Sequence, residues 1–489
     1  MPALNARNLS SLGPDVAIPA YDRDHVSVGI VHLGVGGFHR AHQAMYIDEL
    51  MNAGLADDWA ICGVGVLDSD RRMKDVMDAQ DGLYTLVLKR PDGSTHARVI
   101  GSIVEYVLAS DDPETAIERM ADPETKIVSL TVTEGGYNID HVTGEFDTSH
   151  PDVVHDLTPG TVPRTTFGLI TAALERRRQR EVPAFTLMSC DNIAGNGHMA
   201  RSVFTAFARA KDAGLAEWVE REVRFPNSMV DRITPVTTDQ DRALVTEQYR
   251  VDDAWPVVCE PFTQWVLEDD FGFRRPALEH AGVQLVDDVE PYELMKLRLL
   301  NASHQGLCYF AYLAGYRLVH EACQDPLIRT FLRAYMDTEA TPTLPPVPGV
   351  DLEEYKSTLI ERFANPGVRD TVARLCAESS DRIPKWLLPV ARDNLRTGGP
   401  VTLSAAIVAS WARYAEGVDE QGEPIEIVDQ LAERLIPAAR RQRDEPLAFL
   451  ADREVFGNLV DQPRFTQAYR SALSSLQRDG ARRTLESLV

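Results

Sequence analysis

The first half of the chain alternates short apolar runs with helical stretches, and this rhythm restricts the possible folds more than any other feature. The apolar runs are typical of buried strands, and the stretches between them have helical periodicity. We predict strands at residues 28–33, 59–67, 84–89, 97–108, 126–132 and 184–189, and helices at residues 38–53, 113–120, 165–180 and 197–211. Strands that alternate with helices favour a mostly parallel sheet covered by helices.

The sequence changes character after about residue 291, where strand signals become scarce. We predict helices at residues 292–315, 352–364, 368–377, 403–416, 426–443 and 463–476. The chain is therefore predicted to form two domains, an α/β domain at residues 1–288 and a mainly α-helical domain at residues 289–489. The proline-rich stretch at residues 341–350 is predicted to be a surface excursion of the second domain.

Composition excludes several classes of protein. The 50 lysines and arginines face 74 aspartates and glutamates, a net charge of −24, which argues against a nucleic-acid or acidic-membrane partner. No apolar run reaches about 18 residues, and the first residues do not have the pattern of a signal peptide. The six cysteines are scattered and form no C-x-x-C pair, as expected of a cytoplasmic protein.

A glycine-rich loop follows the first predicted strand. Gly34 and Gly36 form a G-x-G element, and Gly37 and Phe38 begin the next helix. Small residues at such a turn let the backbone approach a pyrophosphate, as in a Rossmann-like dinucleotide-binding domain. His39 stands where the usual third glycine would be, so an ordinary strand–helix turn remains the alternative.

The second predicted strand is followed by the acidic residues Asp68 and Asp70. A carboxylate at this position accepts hydrogen bonds from the adenosine ribose and repels a 2′-phosphate, which favours NAD over NADP. Arg71 and Arg72 come next, and they could either neutralise a 2′-phosphate or face solvent.

The most informative stretch is the helix predicted at residues 292–315. At about 100° per residue, four polar side chains share one face with three leucines. The polar residues are Glu293, Lys296, Asn301 and His304, and the leucines are Leu297, Leu300 and Leu307. A polar group on an apolar face needs a partner, so an internal hydrogen-bond network without chemistry is one interpretation.

The other interpretation is a site of hydride transfer. An apolar pocket disfavours a charged lysine, so the pKa of Lys296 would fall and the amine could take a proton from a secondary alcohol. The Asn301 amide could hold the developing oxygen charge, and His304 could orient a neighbouring hydroxyl. Glu293 could tune the lysine or relay its proton.

Six ordered motifs give the chain a resemblance to a known family. They are GVGGFHRAHQ at residues 34–43, TEGGY at 133–137, SCDNIAGNG at 189–197, NSMVDRITP at 227–235, EPFTQWVLEDDF at 260–271 and KLRLLNASH at 296–304. With these motifs the chain resembles the polyol-specific long-chain dehydrogenases, the mannitol dehydrogenase family, over nearly its whole length.

The resemblance implies a set of roles. It implies that Lys296 is the general base, with Asn192 and Asn301 polarising the reacting oxygen. It also implies that substrate is bound by Asp231, His304, Arg374 and Lys385, and that Glu134 and Glu293 lie near the lysine's route to solvent. Lys385 lies in ESSDRIPKW, which departs from the family pattern.

Structural alternatives remain for three of these residues. Asp231 could form an ion pair with Arg232, Arg374 could form a surface salt bridge, and Asn192 could cap a helix. The predicted cofactor-binding residues are Gly34, Gly36, Gly37, Phe38, Asp68, Asp70 and Glu134.

The first hypothesis is zinc-independent, NAD-dependent oxidation of D-mannitol to D-fructose, with a small-molecule substrate and a monomeric enzyme. A hexuronate reductase or a D-arabinitol dehydrogenase of the same family is the alternative, and a non-catalytic NAD-binding protein is the alternative outside it. His39 and His42 stand three residues apart, but no third ligand is near, so no metal site is predicted.

Overall fold

The computed structural model describes residues 3–139 and 145–489, without the side chain of Glu134. The chain divides into two compact units, Met1–Arg90 with Ser94–Glu290, and Pro91–Gly93 with Pro291–Val489. No helix within the described residues combines the length and the apolar composition needed to cross a lipid bilayer.

The first unit is built from mostly parallel strands and the helices that connect them. Its strands are β1 (Val16–Ala17), β2 (Val28–Leu33), β3 (Ala60–Gly65), β4 (Tyr84–Lys89), β5 (Thr95–Ile100), β6 (Ile103–Leu108), β7 (Ile127–Leu130), β8 (Thr186–Ser189), β9 (Ser228–Asp231), β10 (Val257–Cys259), β11 (Gln264–Glu268) and β12 (Gln284–Val286). Its helices are α1 (Gly37–Ala41), α2 (Gln43–Asn52), α3 (Arg71–Ala79), α4 (Pro113–Ala121), α5 (Pro151–Leu157), α6 (Thr166–Gln179), α7 (Asn196–Lys211), α8 (Ala213–Glu222) and α9 (Asp239–Tyr249).

The central sheet has five parallel strands in the order β6-β3-β2-β7-β8. Its direction of winding reverses between β2 and β7, where the carboxyl ends of the two strands lie side by side. In open α/β sheets, ligands bind outside the carboxyl ends of the strands at such a point. This edge is therefore where the sheet positions a site.

Both faces of this sheet are buried. Along β2, Val31 and Leu33 join one apolar cluster with α4, α6 and α7, whereas Ile30 joins a second cluster with α2. Alternate residues of a strand point to opposite faces, so a strand covered on both sides needs an unbroken apolar run. This explains why VGIVHL is apolar at nearly every position.

Two smaller sheets complete the first unit. The order β1-β5-β4-β10 contains an antiparallel hairpin of β4 and β5, and the order β12-β11-β9 pairs β11 antiparallel to β9. The turn predicted at residues 91–93 joins the two strands of that hairpin.

The described part of the second unit is helical, with isolated bridges in place of strands. Its helices are α10 (Glu290–Met295), α11 (Ala302–Leu313), α12 (Val319–Gln324), α13 (Pro326–Tyr335), α14 (Leu352–Phe363), α15 (Val372–Cys376), α16 (Ser379–Trp386), α17 (Leu388–Thr397), α18 (Thr402–Tyr414), α19 (Ala432–Arg441), α20 (Arg453–Phe456) and α21 (Pro463–Leu488). The buried helix α11 packs against α15 and α18, and α18 packs along α21.

The predicted fold class is confirmed, a Rossmann-like parallel-sheet domain followed by a helical one, but three predicted elements are interrupted. The helix at residues 38–53 breaks at His42, whose φ of −126° and ψ of −96° are not helical. The strand at residues 97–108 divides into β5 and β6, which belong to different sheets. The helix at residues 292–315 contains a π-helical turn at Lys296–Asn301.

The buried Arg177 of α6 generates a test of the first unit. Its guanidinium donates to the carbonyls of Met120 at 3.0 Å and Pro183 at 2.7 Å and to two further carbonyls between α4 and β7. Arg177→Met leaves these carbonyls without their donor, so we expect the free energy of unfolding to fall by about 3 kcal/mol.

The neighbouring variant Arg178→Met is the matched control in urea unfolding. Its exposed ion pair with Asp212 has an N–O distance of 3.4 Å, and we expect a loss of less than about 1 kcal/mol. Equal losses in the two variants would contradict the structural role of Arg177.

Candidate functional site

The loop after β2 requires its first glycine. Gly34 has a φ of +93°, and a Cβ on it would lie 2.2 Å from the carbonyl oxygen of Thr131, which follows β7. Any other residue would be strained in its backbone and would clash with the neighbouring strand end. Gly34 therefore allows β2 and β7 to end side by side.

A buried histidine fixes this close approach. His32 of β2 is fully buried, and its Nδ1 lies 2.8 Å from the Ser129 hydroxyl while its Nε2 lies 2.9 Å from the Thr131 hydroxyl. The Thr131 hydroxyl donates to the Gly34 carbonyl at 2.6 Å. Burial lowers the pKa of His32 to about 3, so the ring is neutral at physiological pH.

His39 replaces the third glycine by stacking. Its ring lies 3.4 Å from that of His32 with an angle of 11° between the planes, and it is 1% exposed. Burial lowers the pKa of His39 well below its usual range. The sequence offered no signal for this pair, because the rings belong to residues that only the fold brings together.

Gly36 and Gly37 are not required by the protein's own packing. A Cβ on Gly36 would meet no atom closer than 4.0 Å, and one on Gly37 none closer than 3.7 Å. A Cβ would therefore fit at either position without a clash, so close approach of a pyrophosphate remains a reason for a small residue there. Phe38 follows, half-buried, with its ring stacked 4.9 Å from that of His42.

The two acidic residues after β3 have different surroundings. The Asp70 carboxylate accepts hydrogen bonds from the amides of Val66 at 2.9 Å and Leu67 at 3.0 Å, so it shapes the turn. Asp68 is exposed. Of the two predicted ribose-binding carboxylates, Asp68 is thus better placed to bind a ligand.

Arg71 and Arg72, which made the sequence ambiguous between NAD and NADP, both have contacts within the protein. Arg71 forms a bidentate pair with Asp111, with both N–O distances 2.6 Å. Arg72 lies over the ring of Trp255, 4.6 Å from its centroid. The Arg71 guanidinium is thus occupied by a carboxylate, whereas stacking on Trp255 leaves the N–H donors of Arg72 outside that contact.

The turn after β7 is strained and held by one carboxylate. Thr133 has a φ of +64°, an unusual conformation for a β-branched residue. The buried Asp191 accepts from the Thr133 amide at 2.7 Å and from the Tyr137 hydroxyl at 2.8 Å. Glu134 begins the 3₁₀ turn Glu134–Tyr137, but its predicted side-chain role lies outside the described part of the structure.

Asn192 follows β8 at the same edge of the sheet and is exposed. The helix-capping role considered for it belongs to other residues. Gly195 is the N-cap of α7, and the Asn227 side chain accepts from the amides of Gly197 at 2.9 Å and His198 at 3.2 Å. The buried Asn196 bridges this loop to β9 through the Ser228 backbone.

Asp231 ends β9 and is buried. Its neighbour Arg232 directs its guanidinium to the carbonyls of Ala41 at 2.6 Å and Glu260 at 3.2 Å. Arg232 therefore fastens the end of α1 to the strand ends, and sequence analysis did not assign it this task.

In the second unit, Lys296 and Asn301 are the first and last residues of the π-helical turn. The amide of Ala302 bonds to the carbonyl of Leu297, five residues earlier. The predicted α-helix separates Lys296 and Asn301 by about 140° around the axis. A turn that closes on the fifth residue advances each residue by less, so it brings the two side chains closer to one face.

Both ends of this turn carry buried polar groups. Lys296 is 8% exposed, Asn301 4% and His304 9%. The His304 ring lies 4.2 Å from the ring of Phe363 on α14. Glu293, on α10, is half-buried. The second unit thus places all four predicted polar residues of this helix in or beside one π-turn.

Arg374 and Lys385 are both exposed and already paired. Arg374 of α15 forms a bidentate pair with Asp370, and Lys385 of α16 lies 2.6 Å from the Asp381 carboxylate. Their side chains are 56% and 52% exposed. The surface salt bridge considered for Arg374 is present, and the substrate roles of both residues remain predictions.

Sequence analysis did not identify Arg298. The structure buries it, with its Nη1 2.8 Å from the Asp393 carboxylate and 2.9 Å from the Thr343 carbonyl. Thr343 belongs to the proline-rich segment, so that segment is fastened to the helix.

No metal site was predicted from His39 and His42, and the positions of the potential metal ligands bear on this. Within residues 3–139 and 145–489, no three His, Cys, Asp or Glu side chains are grouped in a way that could hold a metal ion. His42 is instead directed to the Gln264 carbonyl, 3.1 Å from its Nε2.

Comparison with known families gives two adjacent matches. The mannitol dehydrogenase Rossmann domain matches residues 28–280, and the mannitol dehydrogenase C-terminal domain matches residues 288–477. Together they account for most of the chain.

Individual proteins resemble the chain over its full length. Mannitol 2-dehydrogenase of Aspergillus fumigatus is 46% identical, covering 99% of each chain. The Pseudomonas fluorescens mannitol 2-dehydrogenase, solved as a ternary complex with NAD and D-mannitol, is 46% identical with a TM-score of 0.90, covering 100% of this chain and 99% of that one. A substrate-free D-sorbitol dehydrogenase is 35% identical with a TM-score of 0.92, covering 99% and 100%.

The His32 network predicts how stability depends on pH. Folded His32 stays neutral down to about pH 3, whereas the unfolded side chain takes up a proton near pH 6.5. Its contribution is therefore complete above pH 6.5 and is lost as the pH falls toward 3. We expect the free energy of unfolding to fall between about pH 6 and pH 4 by up to about 1.4 kcal/mol per unit from this one group.

His32→Gln removes the titrating ring, so unfolding curves at several pH values should show a shallower decline. The exposed His25 provides the matched control, because His25→Gln should leave the decline unchanged. An unchanged decline in His32→Gln would contradict the assignment.

Proposed function

Because the chain belongs to the mannitol dehydrogenase family, we propose that it catalyses the reversible NAD-dependent oxidation of D-mannitol to D-fructose. The observation that carries this proposal is the 46% identity, over essentially the whole of both chains, to a solved mannitol 2-dehydrogenase with NAD and D-mannitol. In the balanced reaction, D-mannitol and NAD⁺ give D-fructose, NADH and a proton.

The nucleotide loop fits a dinucleotide. Gly36 and Gly37 carry no side chain that would hinder a pyrophosphate at the backbone, and Gly34 allows the tight turn. In this proposal Phe38 borders the same loop, and Asp68 accepts hydrogen bonds from the adenosine ribose. NAD, when bound, supplies the acceptor for the hydride that leaves carbon 2 of the polyol.

We assign NAD rather than NADP as the working cofactor from the arginines after β3. Arg71 is bound to Asp111, and Arg72 is stacked on Trp255. A 2′-phosphate at Arg71 would have to displace Asp111, and at either arginine it would approach the Asp68 and Asp70 carboxylates.

Lys296 is the proposed general base. Its neutral Nζ takes the proton of the hydroxyl on carbon 2 while the carbon–hydrogen bond breaks and the carbon–oxygen double bond forms. The side-chain amides of Asn192 and Asn301 donate to the oxygen as its charge develops. Because the lysine and the amides supply these functions, the proposed reaction is zinc-independent and should survive chelation.

The supporting roles follow the same assignment. His304 and Asp231 bind neighbouring substrate hydroxyls, and Glu293 with Glu134 carries the lysine's proton toward solvent. We propose that residues 1–288 bind the dinucleotide and that residues 289–489 bind substrate and supply the base. A monomer in the cytoplasm is part of the proposal, which sedimentation and cell fractionation can test.

The paired cations favour a polyol over a hexuronate. A uronate carboxylate needs a cation, but Arg374 is held by Asp370 and Lys385 by Asp381. A carboxylate that binds at either residue would approach an acidic side chain already in contact, which weakens the attraction. Neutral hydroxyls can be accepted without breaking these pairs.

The substrate class is tested by NADH absorbance with purified protein. We expect D-fructose to be reduced at least about tenfold faster than D-fructuronate at equal concentration, because Arg374 and Lys385 are each in contact with an acidic side chain. In the reverse direction, D-mannitol is compared with D-sorbitol and D-arabinitol. Faster reduction of D-fructuronate would replace the proposal with a uronate reductase, and NADH binding without any turnover would indicate a non-catalytic protein.

The base is tested by Lys296→Ala. Loss of general-base catalysis should lower kcat for D-mannitol oxidation by about 100-fold or more while NADH still binds. Wild-type kcat should rise with pH as the lysine loses its proton. Lys211→Ala, which removes a surface ion pair with Glu175, is the control and should keep normal kcat. Near-normal turnover in Lys296→Ala would disprove the assignment.

A further inference from the structure

The proline-rich segment lies against the helix that carries Lys296. We call residues 341–350 the proline strap, because four of its ten residues are proline. Its Pro348 carbonyl accepts from the Tyr292 hydroxyl at 2.8 Å, and its Thr343 carbonyl accepts from Arg298 at 2.9 Å. Proline restricts φ, so the two carbonyls are held on a stiff backbone.

Arg298 is also held by α17. Its Nη1 lies 2.8 Å from the Asp393 carboxylate, and the guanidinium is buried. The Tyr335 hydroxyl at the end of α13 contacts the Arg298 carbonyl at 3.3 Å. A buried charged group that loses its partners is strongly unfavourable, so Arg298 fixes its own helical position firmly.

After Tyr292 and Arg298, a third anchored residue, Gln305, lies beyond the π-turn on α11. The Gln305 amide donates to the Leu375 carbonyl at 3.3 Å, and the Tyr309 hydroxyl lies 2.5 Å from both the Gln305 side-chain oxygen and the Ser379 hydroxyl. These contacts are buried and fix the rotation of α11 about its axis.

The three anchors determine how many residues the helix must fit between them. Tyr292 lies before the π-turn, Arg298 within it and Gln305 after it. Converting the turn to α-helical spacing would rotate one side against the other by about 100°. At least one buried anchor would then break, so the π-turn is the spacing that satisfies all three.

We propose that Arg298, together with the proline strap, is a positioning residue that imposes the π-helical register on Lys296–Asn301. Lys296 lies between the first two anchors and Asn301 between the last two. The register therefore sets the angle between the base and the amide. Its consequence for turnover rests on the proposed function, whereas the register itself does not.

The test uses Arg298→Met, Arg298→Lys and Arg396→Met in the full-length chain. Arg396→Met is the matched control. The exposed Arg396 lies on α17 and contacts the same Asp393 carboxylate, with an N–O distance of 3.2 Å. We expect Arg298→Met to lower kcat for D-mannitol by about 100-fold, as a displacement of about 1 Å can. KM and NADH affinity should change less than about threefold, because substrate-binding groups outside the turn remain.

Three further outcomes are expected. Arg298→Lys should recover part of kcat, since its ammonium can reach one of the two partners. The pH profile of kcat in Arg298→Met should move to higher pH, because a displaced lysine is better solvated. A crystal structure of Arg298→Met should show α-helical spacing at residues 296–301, with the single part-buried Tyr292–Pro348 hydrogen bond broken and the buried Gln305 contacts kept.

Tyr292→Phe is the second variant, for use if Arg298→Met does not fold. It removes one hydroxyl and should lower kcat about threefold to tenfold with the helix otherwise intact. Folded Arg298→Met with the kcat and the pH profile of the wild type would overturn the proposal. A crystal structure of Arg298→Met that retains the π-turn would also overturn it. A wild-type protein inactive on every polyol would refute the proposed function instead, and the crystal structure would still test the register.

Discussion

The five-stranded sheet lies between two apolar layers, and the rest of the first unit depends on this double burial. A parallel strand covered on both faces must be reached by a helix that crosses back over the sheet. Every strand then ends at one edge, where the connecting loops collect. Gly34, Asp68, Thr133 and Asn192 stand just after β2, β3, β7 and β8 for this reason.

Close approach at that edge is managed by a few buried polar groups. His32 holds the end of β2 to that of β7, Asp191 holds the strained turn after β7, and Asn196 holds the loop after β8. Each group bonds mainly to backbone or hydroxyl groups rather than to an opposite charge. Such bonds hold the loops in fixed positions without a buried ion pair.

Much of this arrangement could be predicted from the sequence. The apolar run at residues 28–33 became β2 with the same bounds, because burial on both faces leaves no room for polar residues. The glycine pattern identified the loop, and the face carrying Lys296, Asn301 and His304 identified a buried polar site. These features follow from local sequence and simple periodicity.

What could not be predicted depends on contacts between distant residues. The π-turn at Lys296–Asn301 has no local signal, because tertiary anchors on the proline strap, α17 and α15 impose it on an ordinary helical sequence. The pairing of Arg71 with Asp111, 40 residues away, likewise appears only once the chain is folded. The number of charged residues in the sequence therefore overestimates how many charged side chains a ligand can bind.

The stacked His32 and His39 give the nucleotide loop an unusual spacer. In the common three-glycine loop, the helix stands close to the strand because a side chain is missing. Here two neutral imidazoles lie face to face, 3.4 Å apart, in the same place. The gap between helix and strand is therefore set by the thickness of an aromatic ring. Which side chains are tolerated at position 39 should therefore depend more on whether they are flat than on how large they are. A search for the third glycine would overlook this.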